Sequence, residues 1–212
     1  MDRKPYVGVT AFIDWNSQLR RFSKRNSSDT IFAARSAFNF VARKIANGLE
    51  AAEPGARFKV SLRLHHGWHK GFQPSVNKVA ISRIVAETDF EALSPRPNVV
   101  FSEVVAYGDC LVVALPQRLH PKLSIHLPNT LREREGESGI EEKMVDTALA
   151  ADMIVTAYQD PDDWIMVASE DDDLVPPLFV VEAIKHGRSS RVLLMSQRKR
   201  SEKFVNLKGM EV

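Results

Sequence analysis

Polar residues that could do chemistry stand directly after two apolar runs of the sequence. Asp14 follows the first run, with Asn16 two residues further on, and Asp171 and Asp173 follow the run Trp164–Ala168. The carboxyl ends of parallel strands meet at one edge of an α/β sheet, where such folds place their sites. If both runs are parallel strands, we expect these side chains to lie close together.

A cluster of carboxylates suits a divalent cation. Carboxylates held together in a low-dielectric cleft raise one another's pKa, and a bound cation removes that cost. Mg²⁺ takes oxygen ligands and keeps several waters, which suits a few carboxylates together with a substrate phosphate. A further carboxylate, Asp146 on a predicted helix, could converge on the same point. The residue types therefore indicate metal-assisted chemistry on a phosphate.

Each acid also has an ordinary structural explanation. An Asp after a strand is often a helix N-cap, and Asp173, shortly before Pro176 and Pro177, fits that role. Asp14 could equally form a turn or a cap, and Asp146 could lie on a solvated helix face. Their joint placement at one predicted sheet edge favours a site.

The elements that must position these residues alternate between strand and helix patterns. Strands are predicted at 6–13, 57–65, 98–106, 164–168 and 191–195, and helices at 30–52, 75–93, 140–158 and 177–186. This alternation predicts an α/β fold with a largely parallel sheet. The segment 107–138 breaks the alternation, with a charged loop at 131–139, and is interpreted as a hairpin or loop insertion within a single domain spanning 1–212.

Helix geometry sorts the acids of the predicted helix 140–158. At about 100° per residue, Asp146 and Lys143 share a flank, whereas Asp152 lies about 120° from Asp146. Asp152 is therefore expected beside the ligands rather than among them. The apolar stripe of this helix is predicted to consist of Ile140, Met144, Ala148, Ala151 and Val155.

Composition and charge narrow the class of protein. The chain has 212 residues, 44% hydrophobic and 26% charged, which is typical of a globular protein and not of a disordered chain or a fibre. No run approaches about 18 apolar residues, so no membrane contact is expected. The N-terminus lacks a signal-peptide cleavage site and Cys110 is the only cysteine, which predicts a cytoplasmic location. Basic runs at 20–25 and 185–203 are either solvated surface or a track for a polyanion.

Three strings of the sequence resemble motifs of NYN domains, a branch of the PIN-like ribonucleases. They are Phe12-Ile-Asp14-Trp-Asn16, Lys143-Met-Val-Asp146 and Ser169-Glu-Asp171-Asp-Asp173-Leu-Val-Pro176. Their order and spacing also match, and the resemblance covers most of the chain, with 107–138 covered least. It implies a PIN-like three-layer α/β fold, with a largely parallel central sheet flanked by helices, and metal-dependent hydrolysis of RNA.

The resemblance also implies a site. The metal-binding acids would be Asp14, Asp146, Asp171 and Asp173, with Asn16 and Lys143 nearby. We therefore expect a Mg²⁺- or Mn²⁺-dependent endoribonuclease. Asp173 would complete the ligand ring or orient a metal-bound water, and Asn16 would fix the Asp14 carboxylate or contact the scissile phosphate. Single-stranded DNA as a second substrate, a homodimer and a regulatory protein partner all stay open.

The departures from the family's motifs are Glu170 for a usual Gly, Ser17 for a common Asn, and Leu174 for an aromatic residue. Glu170 adds bulk and charge beside Asp171. It supports the alternative of a catalytically inactive PIN-like module that binds RNA or a protein. A Toprim-type metal fold is disfavoured because that fold needs Glu where this sequence has Asp14.

The segment His65–Phe72 is rich in histidine and aromatic residues. A zinc site here would lack a fourth ligand, and adjacent histidines on a strand point to opposite faces. Trp68 and Phe72, with Lys70, could stack bases and hold a phosphate, or they could belong to a packed loop. The packed loop is favoured.

Overall fold

The structure, a computed structural model, describes residues 5–23, 29–108, 127, 129–133, 139–198 and 207–212. Its strands are β1 (Tyr6–Asp14), β2 (Arg57–His65), β3 (His69–Lys70), β4 (Gln73–Pro74), β5 (Val99–Phe101), β6 (Ala106–Tyr107), β7 (Leu131–Glu133), β8 (Ile140–Glu142), β9 (Trp164–Ala168) and β10 (Val192–Met195). Its helices are α1 (Trp15–Arg20), α2 (Thr30–Ala52), α3 (Val76–Glu87), α4 (Val145–Gln159) and α5 (Val175–Lys185), with a 3₁₀ turn at Asp172–Leu174.

The central sheet is parallel and has the order β10-β9-β1-β2-β5, with β6 also pairing with β2. The chain adds strands on one side of β1 first and then returns to add β9 and β10 on the other. The order therefore reverses between β1 and β9, and a crevice opens at such a point beyond the carboxyl ends of the strands. The register pairs Ile13 with Ala168, so Asp14 and Ser169 leave the sheet side by side.

Helices cover both faces of the sheet, which makes the fold α/β as predicted. Alternate side chains of β1 enter two separate cores: Ile13 packs with α1, α2 and α3, whereas Phe12 packs with α4 and α5. A central parallel strand buried on both faces reads as a continuous apolar run, which explains why β1 and β9 are visible in the sequence. No helix among the described residues combines the length and apolar character needed to cross a membrane.

The largest error of the sequence analysis concerns the predicted helix 140–158. Its first residues form β8, which pairs antiparallel with β7 in the segment predicted to be a charged loop. Met144 then adopts a left-handed backbone conformation (φ 68°), and α4 begins only at Val145. Lys143 therefore lies outside the helix, and the predicted flank shared with Asp146 is wrong.

The predicted apolar stripe of that helix is confirmed at Ala148, which is buried, but it is wrong at the residues before α4. Ile140 is 64% exposed and Met144 is 39% exposed. The residues of α4 that are buried are Val145, Ala148, Leu149, Asp152, Met153, Thr156 and Ala157. This face still has helical spacing, but it is rotated from the predicted one.

The remaining elements differ mainly at their ends. The bounds predicted for α2, β2 and β9 are confirmed, and Ser75 caps α3 by accepting from Lys78 N, but α3 ends at Glu87, short of the predicted Leu93. The predicted strand 98–106 is two short strands. Most of the segment 107–138, including Cys110, lies outside the described residues, so its interpretation as an insertion stays a prediction.

Candidate functional site

Asp14 lies at the point where the strand order reverses. It ends β1, is 8% exposed, and is the N-cap of α1, where its Oδ1 accepts from Ser17 N at 3.2 Å. Its Oδ2 accepts from Ser169 Oγ at 2.8 Å. The capping role considered for Asp14 is therefore real, but each carboxylate oxygen keeps a second lone pair for another ligand. Cap and site are compatible here.

Asp171 is tied to Asp14 through the same serine. Asp171 N donates to Ser169 Oγ at 3.0 Å, so one hydroxyl joins the ends of β1 and β9. The Asp171 carboxylate accepts from Asp173 N at 3.0 Å and caps the 3₁₀ turn. The cap at this position is thus Asp171, and Asp173 does not have the capping role that was considered as an alternative for it.

Asp146 lies in the first turn of α4, close enough to Asp14 and Asp171 for their charges to act on it. Partial burial and the negative charges of Asp14, Asp171, Glu142 and Asp173, in that order of effect, raise its pKa to about 6. Three elements far apart in the sequence therefore bring carboxylates into one electrostatic field. A cation placed among them would relieve this repulsion.

These residues line an open cleft of about 750 Å³ at the edge of the sheet. The lining residues are Asp14, Asn16, Ser17, Arg20, His66, Asn77, Leu131, Ile140, Glu141, Glu142, Asp146, Glu170, Asp171 and Arg198. Of the predicted site residues, Asp173 and Lys143 are not among them. Asp173 is exposed and makes the smallest of the charge contributions to the pKa of Asp146, and Lys143 pairs with Glu141 at 3.2 Å.

Sequence reasoning missed a hydrogen-bonded network in one wall of the cleft. Glu142, at the end of β8, accepts from Gly67 N at 2.6 Å and from Asn16 Nδ2 at 2.5 Å, and it forms an ion pair with His66 Nδ1. Burial would raise the pKa of Glu142, but these partners outweigh burial and lower it. His66 Nε2 lies 2.6 Å from Asn77 Nδ2.

Glu170 holds the other wall of the cleft together. Its carboxylate accepts from Ser196 Oγ at 2.8 Å and from the backbone N–H groups of Gln197 and Arg198 at 3.0–3.1 Å, and it pairs with Arg21. Burial would raise its pKa, but these partners lower it. The carboxylate is thus engaged by the segment after β10 and by α1.

Several other singled-out residues lie away from the cleft. Asp152 is buried 3.4 Å from His65 Nε2 and 3.7 Å from Arg63 Nη1 and is not among the residues that line the cleft. Trp68 is fully buried and donates to Leu64 O at 3.1 Å, which confirms the packed loop over base stacking for this residue. Phe72 is 70% exposed.

The oxygen ligands of the cleft fit a cation that keeps most of its water molecules better than a cation that is fully surrounded by protein ligands. Among the described residues, no three His, Cys, Asp or Glu side chains lie close enough to hold one ion together. Mg²⁺ usually keeps several waters and binds through one or two carboxylates, so it does not need such a group. Metal binding by Asp14, Asp146, Asp171 and Asp173 stays a prediction.

Comparisons of the chain with protein-family models, with curated proteins and with solved structures found no match.

Proposed function

We propose that the protein is a PIN-like endoribonuclease that hydrolyses RNA with Mg²⁺ or Mn²⁺ bound in the cleft. The observation that carries the proposal is the convergence of Asp14, Asp146 and Asp171 at the point where the strand order reverses, with the pKa of Asp146 raised to about 6. A group of carboxylates without a positive charge nearby destabilises the folded protein, and a bound cation removes this repulsion.

The side chains divide the work as follows. Asp14 and Asp171, both hydrogen-bonded to Ser169, would bind the ion from the sheet edge, and Asp146 would bind it from α4, with one or two of the three carboxylates in direct contact and the rest acting through bound waters. When bound, the ion would polarise a phosphoryl oxygen and lower the pKa of an attacking water. Asn16 lies in the first turn of α1, beside Asp14, and its carboxamide oxygen would accept a hydrogen bond from a water bound to the ion near the reacting phosphate.

Two arginines support a polyanionic substrate. Arg20, at the end of α1, and Arg198, after β10, both line the cleft and are exposed. Arg198 pairs with Asp172 at 2.9 Å and also approaches the carbonyl oxygen of Glu170, which holds its guanidinium at the rim. Both arginines belong to the basic runs predicted to track a phosphate backbone, a contact that weakens as salt rises.

An inactive binding module is the alternative, and its main support was Glu170. That carboxylate is engaged by Arg21, Ser196 and backbone N–H groups, so it does not need to compete for a cation beside Asp171. The alternative predicts RNA or partner binding that chelators leave unchanged, and no cleavage with any divalent ion.

The test is cleavage of a pooled set of RNAs with mapped ends, with Mg²⁺, with Mn²⁺ and with EDTA. We expect metal-dependent internal cuts, and a loss of at least about 100-fold in rate for Asp146→Asn and for Asp171→Asn. Glu133→Gln is the matched control, because Glu133 is exposed and pairs with Lys70 outside the cleft lining. Cleavage that persists in both Asp variants, or none in the wild type, would contradict the proposal.

A further inference from the structure

Two hydrogen-bond donors and one histidine nitrogen contact the Glu142 carboxylate. Oε1 accepts from Gly67 N and contacts His66 Nδ1, and Oε2 accepts from Asn16 Nδ2. An ionised carboxylate accepts hydrogen bonds and donates none. The group facing Oε2 must therefore be the amino group of Asn16 and not its carbonyl.

This contact decides the orientation of the Asn16 amide. The two ends of an Asn side chain have nearly the same shape, so a neighbouring donor or acceptor determines which way the amide points. With the amino group committed to Glu142 at 2.5 Å, the carboxamide oxygen is the end left to a ligand in the cleft. That oxygen lies on the residue two positions after Asp14.

His66 contacts the Glu142 carboxylate through one nitrogen of its buried ring. Its ring is 6% exposed, with Nδ1 against Glu142 and Nε2 at 2.6 Å from the Asn77 amide. These two contacts place the His66 ring between Glu142 and Asn77, so His66 supports the Glu142 carboxylate. Glu142 is in turn the last residue of β8, so the ribbon formed by β7 and β8 reaches the sheet edge through this side chain.

We propose that Glu142 is a positioning residue of the cleft, which acts through Asn16 by presenting the Asn16 carboxamide oxygen as a hydrogen-bond acceptor to a metal-bound water. This inference rests on the proposed nuclease function. Outer groups of this kind typically change activity by about 10- to 100-fold when they are removed. The sequence distance of 126 residues between Asn16 and Glu142 makes the contact a product of the fold alone.

A double-mutant cycle tests the proposal at saturating Mg²⁺, with Glu142→Gln, Asn16→Ala and the double variant. Gln can offer Asn16 either an oxygen or an amino group, so the orientation is no longer fixed. We expect each single variant to lower kcat by about 10- to 100-fold with little change in KM, and the double variant to be no slower than Asn16→Ala. Losses that multiply would overturn the proposal.

Two further variants separate positioning from charge. Glu142→Asp keeps the negative charge but withdraws the carboxylate, so it should behave as Glu142→Gln does. If Glu142→Asp is as active as the wild type, the role of Glu142 is electrostatic and the proposal fails. Glu133→Gln, on the same ribbon, should leave kcat and KM unchanged.

An NMR measurement keeps the proposal testable without cleavage. The side-chain amide signals of Asn16, identified by their loss in Asn16→Ala, should shift in Glu142→Gln and stay in place in Glu133→Gln. If the wild type cuts no RNA but these signals shift, the contact between Glu142 and Asn16 is confirmed and the nuclease proposal fails. The catalytic role of Glu142, which rests on the nuclease proposal, then fails with it. If the signals do not move, the positioning proposal is wrong even for an active enzyme.

Discussion

Asp146→Asn should stabilise the metal-free protein while it abolishes the response to metal. At neutral pH, Asp146 is ionised against the charges of Asp14, Asp171 and Glu142. Because Asp146 is only partly buried and water screens the charges around it, we take the combined penalty of burial and repulsion as about 1.5 kcal/mol, roughly half of what the shift would mean for a fully buried group. The favourable interaction of an acid with the N-terminus of α4 opposes it by about 0.5 kcal/mol.

The net gain of about 1 kcal/mol corresponds to a rise of about 2–4 °C in Tm for a chain of this size. Its pH dependence gives a second signature. The pKa of Asp146 is higher in the folded chain, about 6, than its ordinary value of 3.8, so the penalty is complete above the first value and absent below the second. The advantage of Asp146→Asn should therefore be present at about pH 7.5 and vanish towards about pH 4.

The assay is thermal unfolding in EDTA at both pH values, repeated at the higher pH with Mn²⁺ or Mg²⁺. The wild type should gain Tm on addition of metal, because a ligand that binds only the folded state stabilises it. Asp146→Asn should gain little. A variant that is less stable than the wild type in EDTA at about pH 7.5 would refute the reasoning, because Asp146 would then have a stabilising structural role.

Three further predictions concern the affinity for metal, Glu170 in the wall of the cleft, and the buried Lys185. Mn²⁺ affinity measured by calorimetry should be about tenfold weaker at about pH 5 than at about pH 7, because the Asp146 proton must leave first; equal affinities would contradict this. Glu170→Gln should lower the free energy of unfolding, measured by urea titration, by about 1 kcal/mol at neutral pH. This difference should disappear as the pH falls through the lowered pKa of Glu170, and a difference that does not depend on pH would contradict the prediction. Lys185→Met should lower the free energy of unfolding by about 2–4 kcal/mol in the same titrations. The reason is that the buried Lys185 ammonium donates to the carbonyl oxygens of Asp160, Pro161 and Asp163 at 3.1, 3.2 and 2.6 Å. An unchanged urea midpoint would contradict this prediction.

The sheet was predictable because its strands are short apolar runs between long helical patterns. The alternation of buried and exposed residues in β2 and the N-cap at Ser75 depend on neighbouring residues only, so they can be predicted from the sequence. The prediction that Asp14 and Asp171 lie close together followed from sheet topology. In the structure, both residues are hydrogen-bonded to the Ser169 hydroxyl.

The segment before α4 could not be read in the same way. Ile140 and Met144 have helical spacing, but β7 pairs with residues 140–142, and Met144 takes a left-handed conformation that no local pattern signals. The same error concealed Glu142, which was assigned to a helix and not to the cleft. Its partners Gly67 and Asn16 are 75 and 126 residues away, so only the folded chain brings them together.

The most direct test of the metal site is a crystal structure of the protein soaked in Mn²⁺, with anomalous scattering recorded at the manganese edge. We predict one strong anomalous peak in the cleft, contacted by carboxylate oxygens of Asp14 or Asp171 and by Asp146, directly or through bound waters. A cleft without such a peak, in crystals soaked well above millimolar Mn²⁺, would contradict the account.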